Sequence, residues 1–342
     1  MAALRLKGRG PGLCVLSLLV FQASDAVLQR AKYRGFFVFL ARSLLLALVF
    51  SYALSGCARP QRGVLVERER REFTDGLGRK VAVPFPPQRI VSLAPNLTET
   101  LFALGLDERI VGVTTYCDYP PAARTKEKVG DTLHLNLERI IALRPDLVVI
   151  STASQLENLT RRLDELAIPV YVTNPRTVRE VVASIRSLGE VTGMSANASA
   201  LAAQMERRVS EVQSHVADLP RPRLLYVLQT GPLITVGGNT FVNDLIKLAG
   251  GVSISEGETA DYPQFSRETV TARAPDVIVA PAIHGSELVS DEALRRDFAA
   301  TPAIAKGRVV RVNPDLVSRP GPRIVDGLEE LARGLHPENR SR

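Results

Sequence analysis

The 342-residue chain has no tryptophan, four histidines and three cysteines, and each scarcity narrows what it can be. Cys14 and Cys57 lie in the amino-terminal leader, which leaves Cys117 as the one thiol in the body of the chain. A lone cysteine forms no intramolecular disulfide and no cysteine-based metal cluster; its ordinary role is that of a small packing residue. The histidines, at positions 134, 215, 284 and 336, are scattered, and none stands at metal-ligand spacing from another. His134 and His284 fall near loops expected to face a cleft, where either could approach a metal-bearing ligand. The chain also lacks a Gly-x-Ser-x-Gly elbow, a Walker-type phosphate loop and a His-Glu-x-x-His helix. The common hydrolase, nucleotide-binding and metalloprotease chemistries are therefore without their residues.

What charge there is sits at one end. The formal net charge of +7 suggests an acidic partner, but residues 1–56 alone carry seven basic side chains against Asp25. The remainder holds 36 basic and 35 acidic residues, which is no nucleic-acid footprint. The basic excess reads as an export signal: Lys32, Arg34 and Arg42 flank the apolar run Gly35–Leu40 and precede Ser43–Ala53. That run ends in Leu54-Ser55-Gly56-Cys57, which resembles the bacterial lipoprotein signal, with Cys57 the lipidated residue. The alternative is an uncleaved membrane anchor with an incidental cysteine. Either way the rest of the chain is exported and tethered to a membrane. Leu13–Phe21 is a second apolar run, too short for a span, and its position suggests that translation starts near Val27 or Leu28.

The most informative pattern is a duplication. Asn136-Leu-Glu138 leads through a short helix to Pro145-Asp146 and a buried strand, Leu147–Ile150. Ser266-Arg-Glu268 leads in the same way to Pro275-Asp276 and Val277–Ala280. Around both copies strands alternate with short helices, from Ile90–Leu93 in the first and Arg223–Leu228 in the second, which implies parallel sheets covered on both faces. Ser195–Leu219 between them has apolar residues at helical spacing, with Gly193 before it and Pro220 after. The expected fold is thus α/β: two Rossmann-like lobes joined by one long rigid helix. The divisions are a leader (1–56), a charged tether (57–72), an amino-terminal lobe (73–194), a linking helix (195–219) and a carboxyl-terminal lobe (220–337).

The strings Arg89-Ile-Val-Ser-Leu-Ala-Pro-Asn-Leu-Thr-Glu99, Gly112-Val-Thr-Thr-Tyr-Cys-Asp-Tyr-Pro120 and Asn136-Leu-Glu-Arg-Ile140, with Pro145-Asp146, carry a family resemblance. They resemble the helical-backbone substrate-binding proteins of bacterial ABC importers, and among these most of all the cobalamin-binding branch. The resemblance covers about residues 73–337. It implies a binding protein rather than an enzyme, with no cofactor, since the corrinoid would be cargo.

Residue by residue, the resemblance puts Tyr116 against the corrin ring, with Tyr262 answering it in the second lobe. The alternative for Tyr116 is an amphipathic rim tyrosine. The family often has tryptophan where Tyr262 stands, and tryptophan is also expected where Leu133 stands. Asp315-Leu316-Val317-Ser318-Arg319 matches the late loop that meets the ligand; a carboxylate and a guanidinium four apart can bond the amide fringe of a corrinoid. The alternative is a surface ion pair of little energetic weight. Arg319 could instead face the carboxylates of haem or a siderophore, while Arg323 is expected to start the final helix. Glu138 and Glu268 have a plain reading as first-turn acids favoured by the helix dipole. The resemblance makes them docking residues on the two lobes for the arginines of a dimeric permease served by its ATPase. The expected protein is a monomer of the periplasm or cell envelope. Its ligand would be cobalamin or another tetrapyrrole or siderophore.

Overall fold

The computed structural model describes residues 68–131, 134–151, 156–282 and 289–337; Cys57, Leu133 and His284 lie outside the described residues. The chain enters through a hairpin of β1 (Arg70–Thr74) and β2 (Lys80–Pro84), paired antiparallel from Arg70↔Pro84 to Thr74↔Lys80. Pairing therefore begins ahead of residue 73, where charge composition had set the end of the tether. Arg70, Arg71 and Glu72 keep their side chains exposed while their backbone is zipped to Pro84, Val83 and Ala82, so polarity of the side chains did not report on the strand.

The first lobe runs β3 (Ile90–Ser92), α1 (Pro95–Ala103), β4 (Ile110–Val113), α2 (Leu137–Ala142), β5 (Leu147–Ser151), α3 (Leu156–Glu165) and β6 (Val170–Thr173). Its four strands are parallel in the order β4-β3-β5-β6. Two helices follow, α4 (Val178–Thr192) and α5 (Ser195–Val216). The second lobe then runs β7 (Arg223–Tyr226), a small antiparallel pair β8 (Gln229–Thr230) and β9 (Leu233–Ile234), α6 (Phe241–Leu248), β10 (Val252–Ser253), α7 (Arg267–Arg273) and β11 (Val277–Pro281). It continues with α8 (Asp291–Asp297), α9 (Pro302–Ala305), β12 (Val309–Val312), α10 (Pro314–Val317) and α11 (Ile324–Leu335). Its parallel sheet has the order β10-β7-β11-β12. In each lobe the first strand lies between the second and the third, so the repeated sequence has folded as repeated topology.

The matched Pro-Asp strings are what set that topology locally. Asp146 accepts the backbone N–H of Gln88 at 2.9 Å and of Arg89 at 2.8 Å, and Asp276 accepts that of Arg223 at 3.1 Å. Each aspartate, just ahead of its lobe's third strand, ties down the start of the first. The arginines complete the arrangement, Arg89 donating to the Leu143 carbonyl at 2.7 Å and Arg223 to that of Arg273 at 2.9 Å. Otherwise unmet groups at strand starts and helix ends are satisfied in this way. Both helices stop on a non-glycine residue in the left-handed region, Arg144 at φ 45° and Ala274 at φ 44°, each directly before its proline.

The joining helix α5 has 22 residues, about 33 Å at the α-helical rise. It is bonded to both lobes. Asn197 donates to the Leu104 carbonyl beyond α1 at 3.0 Å, and Arg208 reaches Asp326 and Glu329 on α11 at 2.6 and 2.8 Å. Its buried residues Ala198, Ala202 and Met205 belong to one apolar core that includes Leu101 and Val149 of the first lobe and Leu245 and Leu328 of the second. Gly193, at φ 78°, lets α4 end and α5 begin in a tight reversal. Where the two helices cross, a Cβ on Gly189 would lie 2.2 Å from the Ala198 Cβ. Gly189→Ala should therefore destabilise the protein by about 1–3 kcal/mol in urea unfolding, the range for forced overpacking. Gly257→Ala, on an exposed turn with nothing within 4 Å, should stay within about 0.5 kcal/mol of wild type.

Candidate functional site

In open α/β sheets ligands gather at the carboxyl ends of the strands. Three tyrosines are unusually exposed in the loops that follow β4 and β10: Tyr116 at 56%, Tyr119 at 45% and Tyr262 at 59%. They make up half of the large apolar side chains exposed among the described residues, the others being Leu77, Ile141 and Leu166, so aromatic surface is concentrated here. Cys117 explains how Tyr116 is held outward. Its thiol is buried, 3.1 Å from the hydroxyls of both Thr98 and Thr114, and its backbone N–H donates to the Thr114 carbonyl at 3.1 Å. Anchoring the small residue inward leaves the tyrosine beside it to project.

The late loop meets this region through ions. Asn313 caps α10, its side chain accepting the Asp315 N–H at 3.0 Å, and Arg319 emerges one turn later with Asp315 2.8 Å away. The same guanidinium reaches across to the first lobe, to Asp118 at 3.0 Å and Glu99 at 3.2 Å. Arg323, immediately ahead of α11, grips Glu99 with two nitrogens at 2.8 and 2.7 Å and lies 3.9 Å from the centre of the Tyr119 ring, a cation–π contact. Glu99 is only 4% exposed. The backbone closes the same junction: Asn96 donates to the Pro320 carbonyl at 3.2 Å, and a Cβ on Gly321 would stand 3.1 Å from the Asn96 carbonyl oxygen.

Burial works against the Asp118 carboxylate, but the hydrogen bond and charge of Arg319 outweigh it and hold its pKa below the ordinary range. With the guanidinium groups always charged, the five groups Glu99, Asp118, Asp315, Arg319 and Arg323 sum to −1, and Arg124, whose charge also acts on Asp118, brings the surroundings close to neutral.

The structure thus brings Asp315, Arg319 and the loop of Tyr116 to one junction between the lobes. Tyr262 stands beside a second tie across it, Arg176 to Asp261 at 2.5 Å. Within the predicted late loop Ser318 is exposed and Leu316 partly buried. Val317 departs from its expected ligand role: it is 1% exposed and packs into the core, with its methyl 3.1 Å from where a Cβ on Gly327 of α11 would be. Two positions after Asp315 on α10, helical geometry turns it to the opposite face. Arg323 does precede the last helix, yet it belongs to the ion cluster. Glu99 and Asp118 carry no local signal of their role: Glu99 stands two residues from both Leu97 and Leu101, on the face of α1 turned away from them.

Glu138 and Glu268 occupy equivalent first turns of α2 and α7, capped by Asn136 and Ser266, and both are exposed. The Glu268 carboxyl is held below the usual range by its own backbone N–H and by the Ser266 hydroxyl. His134 is exposed and lies 3.3 Å from Asp131. Among the described residues no group of three histidine, cysteine or acidic side chains is disposed to hold a metal ion.

Comparison with known proteins agrees with this layout, for residues 90–316 match the model of a family described as periplasmic binding protein. The chain belongs to the periplasmic binding protein family. It is 32% identical over 309 residues to the ABC transporter substrate-binding lipoprotein YvrC of Bacillus subtilis, covering 86% of this chain and 96% of that one. The solved periplasmic vitamin B12 binding protein BtuF of Vibrio cholerae is similar at 29% identity and TM-score 0.66, over 76% of this chain and 100% of that one. The periplasmic haem-binding protein RhuT of Roseiflexus sp. RS-1 gives 26% identity and TM-score 0.67, over 74% and 99%.

For a binding protein of this layout the Asp118–Arg319 pair ties the lobes as well as shaping the junction. Because the folded pKa of Asp118 is depressed, its contribution to stability is present above the unfolded value of about 3.9 and is lost as pH falls through the folded value. Its side chain is half exposed, so screening keeps the effect to at most about 1 kcal/mol. Asp118→Asn should therefore lower stability at neutral pH by up to that amount, and the difference from wild type should close as urea titrations descend below about pH 4.

Proposed function

We propose that this chain is an extracytoplasmic substrate-binding protein, lipid-anchored through Cys57, that captures cobalamin or a related corrinoid between its lobes and delivers it to an ABC import permease and its ATPase. It works as a monomer, with lobes 73–194 and 220–337, the first extended back to the β1 hairpin, facing each other across the linking helix 195–219. The observation that carries the ligand class is the ion cluster at the junction. Both arginines already face fixed carboxylates and the five groups sum to −1, an arrangement suited to neutral amides. An amide N–H can be accepted by the half-exposed Asp118 or Asp315, and an amide oxygen can take a guanidinium N–H. Tyr116 and Tyr262 offer flat apolar surface to a corrin ring, and similarity to a vitamin B12 binding protein supports the same ligand.

A second reading, haem or an iron–siderophore, is favoured by the exposed phenols of Tyr116, Tyr119 and Tyr262, since a tyrosine can serve as an axial ligand to haem iron, and by the likeness to a haem-binding structure. The two readings separate in one experiment. Purified protein is mixed with cyanocobalamin or with haemin, desalted, and its visible spectrum recorded. Stoichiometric retention of cobalamin is expected; a haem Soret band with a colourless cobalamin sample would replace the first reading with the second.

Docking is assigned to Glu138 and Glu268, one exposed carboxylate per lobe at matching places. Because α5 is packed into both lobes, closure on binding is small, and release requires the permease to lever the lobes apart through these two points. Glu138→Lys combined with Glu268→Lys should abolish cellular uptake while cobalamin retention in vitro stays at the wild-type level. Undiminished uptake by the double variant would remove the docking assignment.

A further inference from the structure

Glu99 is a carboxylate buried in the first lobe whose partners both belong to the second. A buried anion is tolerated only when it is paired and hydrogen-bonded, and here the pairing takes Nε and Nη2 of Arg323 at 2.8 and 2.7 Å and Nη1 of Arg319 at 3.2 Å. The remaining terminal nitrogen of Arg319 is 2.8 Å from Asp315. A ligand carboxylate arriving at Arg319 would either displace one of these fixed anions or be added to them, since the guanidinium carries five N–H donors. If the displaced anion were Glu99, that carboxylate, only 4% exposed, would lose one of its three bonds and keep those of Arg323 alone. If it displaced none, the ligand would bring a fourth carboxylate to two guanidiniums that three carboxylates already match. A neutral amide meets neither obstacle.

We propose that Glu99 sets the charge preference of the cleft: as a positioning residue it holds Arg319 and Arg323 in internal pairs and so turns away carboxylate-bearing flat ligands in favour of amide-fringed ones. The proposal rests on the reading of this junction as the ligand site, and it assigns the selectivity to a residue that need never touch the ligand. It also fixes Tyr119, because the guanidinium stacked 3.9 Å from that ring is the one Glu99 grips with two bonds.

The test uses one flat ring with and without carboxylates, haemin and its dimethyl ester, titrated by absorbance against wild type, Glu99→Gln, Arg323→Gln and the double variant. Glu99→Gln brings the cluster to zero charge and frees a guanidinium, so preference for the diacid over the diester should rise about five- to tenfold, the effect of one partly screened charge a few ångströms away. Arg323→Gln takes the cluster to −2 and should move the ratio the opposite way by a similar factor. The double variant restores −1 and should restore the wild-type ratio, which a purely structural role for Glu99 would not do. An unchanged ratio in both single variants, a double variant that fails to return, or a diacid left unbound by all four proteins would overturn the proposal. Cyanocobalamin is titrated in parallel: a wild type that ignores it while the porphyrin ratios shift as stated removes the corrinoid reading and leaves the role of Glu99 standing.

Discussion

The lobes are not free to choose their distance, because a single apolar core passes through the helix that joins them. Ala198, Ala202 and Met205 of α5 are buried in the same cluster as Leu101 on one side and Leu328 on the other. Opening such a junction by exposing buried side chains would cost about 1.5–3 kcal/mol for each large one, so wide hinge motion is opposed by the core itself. On the proposed reading the cleft is consequently built before any ligand arrives. A preformed site spends less of its interaction energy on ordering itself, and its selectivity must lie in side chains already in place.

Two polar ties cross the junction in addition to the helix, and their physical weight differs. Arg176 and Asp261 are both well exposed, so their attraction is screened and worth less than about 1 kcal/mol. Glu99 is almost fully enclosed, with side-chain exposure of 2% against 18% for each arginine. Removing one partner there leaves an uncompensated charge, which is far more damaging than the net worth of the intact pair. The first tie can open and close with little consequence; the second defines the geometry in which Arg319 and Tyr119 are presented.

What could be read from the sequence was what local chemistry encodes. The repeated Pro-Asp strings with their short helices, the break at Gly193 and the final helix opening at Arg323 depend on neighbours a few residues away, and each is found where the pattern placed it. Family likeness singles out Tyr116, Asp315 and Arg319, and the structure brings Arg319 to 2.8 Å from Asp315; their part in ligand binding belongs to the proposal. The partners of Arg319 were not, since Glu99 lies 220 residues from it in the chain and no local spacing links them. Val317 misled because a motif gives a string, whereas a helix divides the same string between two faces. The start of β1 was hidden because Arg70, Arg71 and Glu72 are held by backbone pairing, to which side-chain polarity is indifferent.

Charge balance shows why the buried ions matter more than the net charge. Outside the leader the chain holds 36 basic and 35 acidic residues, so no broad field draws in or repels a ligand from a distance. At physiological ionic strength exposed charges are screened beyond about 8 Å, which confines electrostatic selection to groups that contact the ligand or are shielded from solvent. Among the junction groups Asp118 and Asp315 are half exposed and easily hydrated; a change of solvent or salt weakens their contribution first. The part of the local field that persists is set by Glu99 and the arginines closed over it. On the proposed reading, a cleft in a chain of almost no net charge discriminates between an amide and a carboxylate because the discriminating charge is the one shielded from solvent.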